Sequence, residues 1–166
     1  MKRAKSTQTP TVFSIYAEDK NGLVGQLMIF FNRPNYPVIS VNVARTDVSD
    51  IVLITIEAIV PDGVLIPFTE RLKKVIEVFD VNISNESLKK IGFYRVKVAG
   101  VKPEFWSLLT KFGANLSGVG NDFVTIYKIG NDKDLEDLYA ALEGPGLLNF
   151  CKSALINENV MQLTIN

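Results

Sequence analysis

Two hydrophobic periods alternate along the chain, and the switches between them mark its elements. Val12 to Tyr16 is an apolar run of strand length, and the turn-forming stretch Glu18-Asp19-Lys20-Asn21-Gly22 follows it. From Leu23 to Asn32 the residues Leu23, Leu27, Phe30 and Phe31 fall at helical spacing, and Pro34 stops the segment. Val38 to Val43 alternates Val38, Ser40 and Asn42 with Ile39, Val41 and Val43. Ile51 to Val60 is a longer β-branched run beyond the Arg45-to-Asp50 turn, so these two segments predict a hairpin. Helical spacing returns over Ile66 to Val78, where Phe68, Leu72, Val75, Ile76 and Phe79 form the apolar stripe and Glu70, Arg71, Lys73, Lys74 and Glu77 face water. Phe79 to Ile83 closes the set as a strand.

The same order recurs in the second half. Ile91 to Val98 reads as a strand, Pro103 to Phe112 as a helix, Ala114 to Val119 and Phe123 to Ile129 as a hairpin, Lys133 to Leu142 as a helix and Leu147 to Ile156 as the last strand. Phe13 matches Phe93 at an offset of 80, and Asp50-Ile51-Val52 matches Asp122-Phe123-Val124 at 72, the drift reflecting shorter later connections. Each half spells a split β-α-β unit, so the predicted class is α+β: two tandem ferredoxin-like βαββαβ domains, antiparallel sheets with helices on one face. The expected boundaries are a polar arm over 1–10, a first domain over 11–84, a linker over 85–90, a second domain over 91–158 and a tail over 159–166. Sheets this small bury a modest core alone, so pairing of domains, including a dimer, is expected.

Composition narrows the chemistry. The 166 residues are 47% hydrophobic and 22% charged, the profile of a compact globular chain. Lys+Arg and Asp+Glu both number 18, which removes the basic excess that general nucleic-acid binding uses. There is no histidine and one cysteine, Cys151, which excludes Ser-His-Asp triads, His-based metal sites and an internal disulfide. The basic start Met1-Lys2-Arg3-Ala4-Lys5 runs into polar Ser6 to Pro10 instead of an apolar stretch, and the longest apolar run, Leu27 to Phe31, is too short to span a bilayer; a cytoplasmic protein is expected.

Candidate chemistry concentrates in Glu18 to Leu27, where a strand gives way to a helix across a glycine-containing turn. The unpaired N–H groups of such a helix start attract a carboxylate, and Asp19 could accept from an ammonium group, which together would clamp an amino acid. The plainer reading is that Asp19 or Asn21 caps the helix and Gly22 accommodates the turn. Phe105, Trp106 and Phe112 read as core or interface. Asp132, Asp134, Glu136 and Asp137 suit a helix start, Gly118 to Asp122 is a hairpin turn, and Cys151 in an apolar strand reads as a buried structural thiol.

The stretch Ser14-Ile15-Tyr16-Ala17-Glu18-Asp19-Lys20-Asn21-Gly22-Leu23-Val24-Gly25-Gln26-Leu27, then Phe30 to Arg33 and Val38 to Val43, resembles the ACT regulatory domain of acetolactate synthase small subunits. Gly92 to Val98, Phe123 to Ile126 and Leu148 to Ile156 resemble the second domain of that family. The resemblance implies a non-catalytic regulatory subunit without catalytic residues, metal or cofactor of its own. Such a subunit forms a homodimer through its ACT domains, activates a thiamine-diphosphate-dependent large subunit and confers feedback by a branched-chain amino acid, usually valine. It implies a ligand held between two ACT domains by positions that are here Asp19 and Gly22 in the first turn, with Asn21 and Leu23 beside them, and Pro37 and Val38 from the neighbouring domain. Two of these depart from the family's asparagines. Asp19 is acceptor-only when ionised, so it suits a ligand ammonium and repels a carboxylate, and Pro37 offers only its carbonyl. A stand-alone ACT-domain small-molecule-binding protein without a catalytic partner is the alternative.

Overall fold

The structure is a computed structural model that describes residues 8–97, 99 and 102–161. Three stretches interpreted from sequence lie outside those residues: Met1 to Thr7 of the polar arm, Val98 at a strand end and residues 162–166 of the tail. The chain divides into two compact units, one running to Leu88 and rejoined by the segment from Ile156, the other spanning Lys89–Leu155.

The first unit contains β1 (Thr11–Glu18), α1 (Leu23–Asn32), β2 (Val38–Arg45), β3 (Ile51–Ala58), α2 (Leu65–Lys73) and β4 (Val78–Ser84). Its sheet has the order β2-β3-β1-β4, antiparallel throughout. Because strand side chains alternate, Phe13, Ile15 and Ala17 of β1 and Val52, Ile54, Ile56 and Ala58 of β3 share one face, where they meet Leu23, Leu27 and Phe31 of α1 and Phe68 and Leu72 of α2. Phe13, Phe31 and Phe68 are fully buried and meet edge to face, with ring centroids 4.9–5.6 Å apart. Each such ring contributes about 3 kcal/mol by burial.

The second unit repeats the order with β5 (Lys90–Lys97), α3 (Pro103–Phe112), β6 (Asn115–Val119), β7 (Phe123–Gly130), α4 (Asp132–Leu142) and β8 (Leu147–Ala154), in a sheet ordered β6-β7-β5-β8. Its core gathers Tyr94, Val96, Phe105, Leu109, Val124, Ile126 and Leu138. The Tyr94 hydroxyl donates to the Leu135 carbonyl at 2.7 Å, which satisfies the one polar atom this buried ring carries in. α4 opens on a capping box in which Asn131 accepts from the Asp134 N–H and Asp134 accepts from the Asn131 N–H. Two ferredoxin-like sandwiches in tandem are therefore present, as the pattern predicts.

Several local readings differ from the structure. α2 ends at Lys73, not Val78: Lys74 and Val75 donate to Arg71 and Leu72, three residues back, and this tightening returns Val75 and Val78 to the core while Ile76 stands 93% exposed. The repeat is offset by one residue at the first strand. Glu18 faces Ile51 and Lys97 faces Phe123, so β1 and β5 align at 79 (97 − 18), and Phe93, unlike Phe13, lies outside the core of its own unit and is 40% exposed. Cys151 stands opposite Phe93 and is exposed, not buried, for the same reason. The aromatic set expected as core or interface divides without contradicting that expectation: Phe105 is core, Phe112 packs against that core, and Trp106 is 47% exposed.

The chain end also departs from the pattern, which carried the second domain to residue 158. β8 stops at Ala154, and residues 156–161 return to the first unit. Asn157 donates to the Ser14 hydroxyl at 3.3 Å, the Tyr16 hydroxyl donates to the Val160 carbonyl at 3.0 Å, and Asn159 donates to Glu86 at 2.9 Å. Ser14 and Tyr16 alternate with the core residues of β1, so this segment lies on the sheet face opposite the helices.

Candidate functional site

The loop from Glu18 to Gly22 is held at several points. The Glu18 N–H donates to the Glu77 carbonyl at 2.8 Å, and the Asp19 N–H donates to the Asp50 carbonyl at 2.7 Å. The Lys20 ammonium lies 2.6 Å from the Glu77 carboxylate; that hydrogen bond holds the lysine above its ordinary pKa and the glutamate below its own. Gly22 then turns into α1 with φ +83°, the left-handed region that glycine adopts without strain, and a Cβ there would meet open space.

No side chain caps α1, so neither Asp19 nor Asn21 plays the capping part that sequence left open for them. Leu23 donates to the Lys20 carbonyl and Gln26 to the Gly22 carbonyl. The N–H groups of Val24 and Gly25 have no partner among the described residues, and they give this entrance its anion-attracting character. The Leu23 side chain belongs to the core, so only its backbone faces the entrance. Asp19 is engaged: Arg45 at the end of β2 donates to its carboxylate at 2.7 Å. Arg45 was not singled out from sequence. The signal was the hairpin register, which sets Arg45 opposite Val52 and Val52 opposite Ala17, two residues from Asp19.

The other two candidate positions lie elsewhere. Val38 pairs with Ala58, which pairs with Thr11, whereas Asp19 follows Glu18 at the other end of the same strand. Seven residue steps of about 3.3 Å separate the two ends, roughly 23 Å in all. The fold thus brings Asp19, Asn21, Gly22 and Leu23 together and keeps Pro37 and Val38 apart from them. The Pro37 carbonyl accepts from the Ile59 N–H at 2.9 Å, and Val38 packs against the core.

The charged cluster at the start of α4 is structural: Asp132 accepts from Lys90 and Lys152, each at 2.7 Å. Burial pushes the Asp132 carboxyl up, but hydrogen bonds from Lys152 and Lys90 outweigh it and leave the group below the usual carboxylate range. Among the described residues no group of His, Cys, Asp or Glu is arranged to hold a metal ion, and no helix is long and apolar enough to cross a membrane.

The architecture these features define is a tandem pair of ferredoxin-like domains, with a loop-to-helix entrance in the first. No family model matches the sequence. The chain is similar to the acetolactate synthase small subunit of Mycolicibacterium smegmatis, with 26% identity over 157 residues covering 92% of both chains. It has the same identity over 156 residues, again 92% of each chain, to the small subunit of Mycobacterium bovis. The crystal structure of the acetolactate synthase small subunit from Thermotoga maritima shares the fold, with a TM-score of 0.76 at 15% identity over 87% of this chain and 93% of that one.

Proposed function

We propose that this chain is a non-catalytic regulatory subunit of acetolactate synthase, one that binds and activates a thiamine-diphosphate-dependent large subunit. The observation that carries this reading is the similarity to small subunits along 92% of both chains, which spans the two domains and not the ACT-type unit alone. Amino-acid binding belongs at the α1 entrance. The two sets of candidate ligand positions sit at opposite ends of one sheet, so a site using both needs a second copy of the chain, with Asp19 to Leu23 from one and Pro37 and Val38 from the other. β2 is one of the two edges of the first sheet, and its Val41 and Val43 remain 40% and 48% exposed, which suits it to homodimer formation.

The Arg45–Asp19 pair favours a modified ligand preference, since the carboxylate that would take a ligand ammonium already holds a cation. A stand-alone small-molecule-binding protein is the second reading that this pair supports. Co-expression with an acetolactate synthase large subunit tests between them. The regulatory reading predicts a stoichiometric complex on size-exclusion chromatography, and separate elution at micromolar concentrations of both chains would overturn it.

A further inference from the structure

The face of the first sheet opposite the helices carries a cavity that the regulatory reading does not use. Tyr16 of β1, Leu53 of β3 and Ala44 of β2 are successive partners across the sheet and form its floor; Ile156 and Met161 of the returning segment form its wall. The volume is about 360 Å³, a size that accepts a small organic molecule. The wall is fixed in place by the bonds from Tyr16 to Val160 and from Asn157 to Ser14. Ala44 leaves the space open, because a longer side chain at that position would project over the floor.

The polar groups at the mouth decide the ligand class. The Arg45 guanidinium is turned to Asp19, the Thr46 hydroxyl donates to the carbonyls of Val48 and Ile51, and the Tyr16 hydroxyl has spent its proton on Val160. The Asp47 carboxylate is exposed and has no hydrogen-bond or ion-pair partner among the described residues. It lies close enough to Tyr16 that its charge, after burial, helps to push the phenol pKa up. The mouth therefore offers an uncommitted negative charge above an apolar floor. We propose that this cavity binds a small organic amine, its apolar body resting on Leu53 and Ala44 and its ammonium paired with Asp47.

The test uses the full chain labelled with ¹³C-methyl methionine and three probes of one skeleton: cyclohexylmethylamine, cyclohexylmethanol and cyclohexanecarboxylate. The amine is expected to shift the Met161 methyl resonance, assigned through Met161→Leu, in a saturable way, and to bind at least about fivefold more tightly than the alcohol, with no saturation by the carboxylate. Asp47→Asn, in an exposed turn, should reduce the amine's affinity to that of the alcohol, and Ala44→Phe should abolish both. Equal binding of amine and carboxylate, an unchanged affinity in Asp47→Asn, or no saturable shift with any probe would overturn the proposal.

Discussion

Replacing Val43 by Asp probes whether the amino-acid site needs two copies of the chain. Val41 and Val43 lie on the helix side of the sheet, opposite Ile56 and Ile54, yet at the β2 edge they keep nearly half of their surface in water. Fully burying a valine contributes about 1.5–3 kcal/mol, so covering the exposed remainder is worth about 0.6–1.4 kcal/mol for each side chain. Two valines in each of two copies then supply roughly 2–6 kcal/mol to a symmetric dimer. Val43→Asp removes its share twice and places a carboxylate in the same seam, which weakens association by about 100-fold or more. Sedimentation velocity over a concentration series measures that loss, and thermal unfolding with and without millimolar valine, leucine or isoleucine measures ligand binding on the same samples. Dimerisation and the ligand-induced rise in Tm should disappear together. A monomeric variant that keeps the full ligand shift would refute the two-copy site, and an unchanged dimer would refute the β2 edge as its seam.

Gly22→Asp should abolish the same ligand shift by setting a carboxylate at the α1 entrance; the strained φ of +83° should itself cost about 1 kcal/mol, read as a lower urea midpoint. Burial raises the Tyr94 phenol to about 12, above its unfolded value near 10, so the unfolded chain loses this proton first. Stability should hold below pH 10 and fall between about pH 10 and 12, and Tyr94→Phe should flatten that decline while costing about 1 kcal/mol at neutral pH for the lost bond to Leu135. The exposed Cys151 should react completely with a thiol reagent such as dithionitrobenzoate in the folded protein, without denaturant; labelling that requires unfolding would contradict the Phe93–Cys151 register.

The sequence was most legible where glycine and proline punctuate it. α1 and α3 run over the predicted spans Leu23–Asn32 and Pro103–Phe112, bounded by Gly22 and Pro34 in one case and by Pro103 and Gly113 in the other. The end of α2 has no such mark, and apolar Val75, Ile76 and Val78 fit a continuing helix as well as a turn into a strand. The one-residue slip at Phe93 has a different origin. β1 is buried on both faces and mixes Ser14 and Tyr16 with Val12 on the side away from the helices, so local matching had no water-facing side to fix its register against β5. The loop and helix entrance of the candidate site were visible as a contiguous stretch. The Arg45 contact with Asp19 and the return of residues 156–161 to the first sheet were not, because both join parts of the chain far apart in sequence.

The rate of acetolactate formation from pyruvate, measured with a large subunit alone and with an equimolar amount of this chain, decides whether the chain is a regulatory subunit. The regulatory reading predicts a several-fold rise in kcat that saturates at a fixed ratio of the two chains. A rate unchanged at every ratio, with both proteins folded, would contradict it.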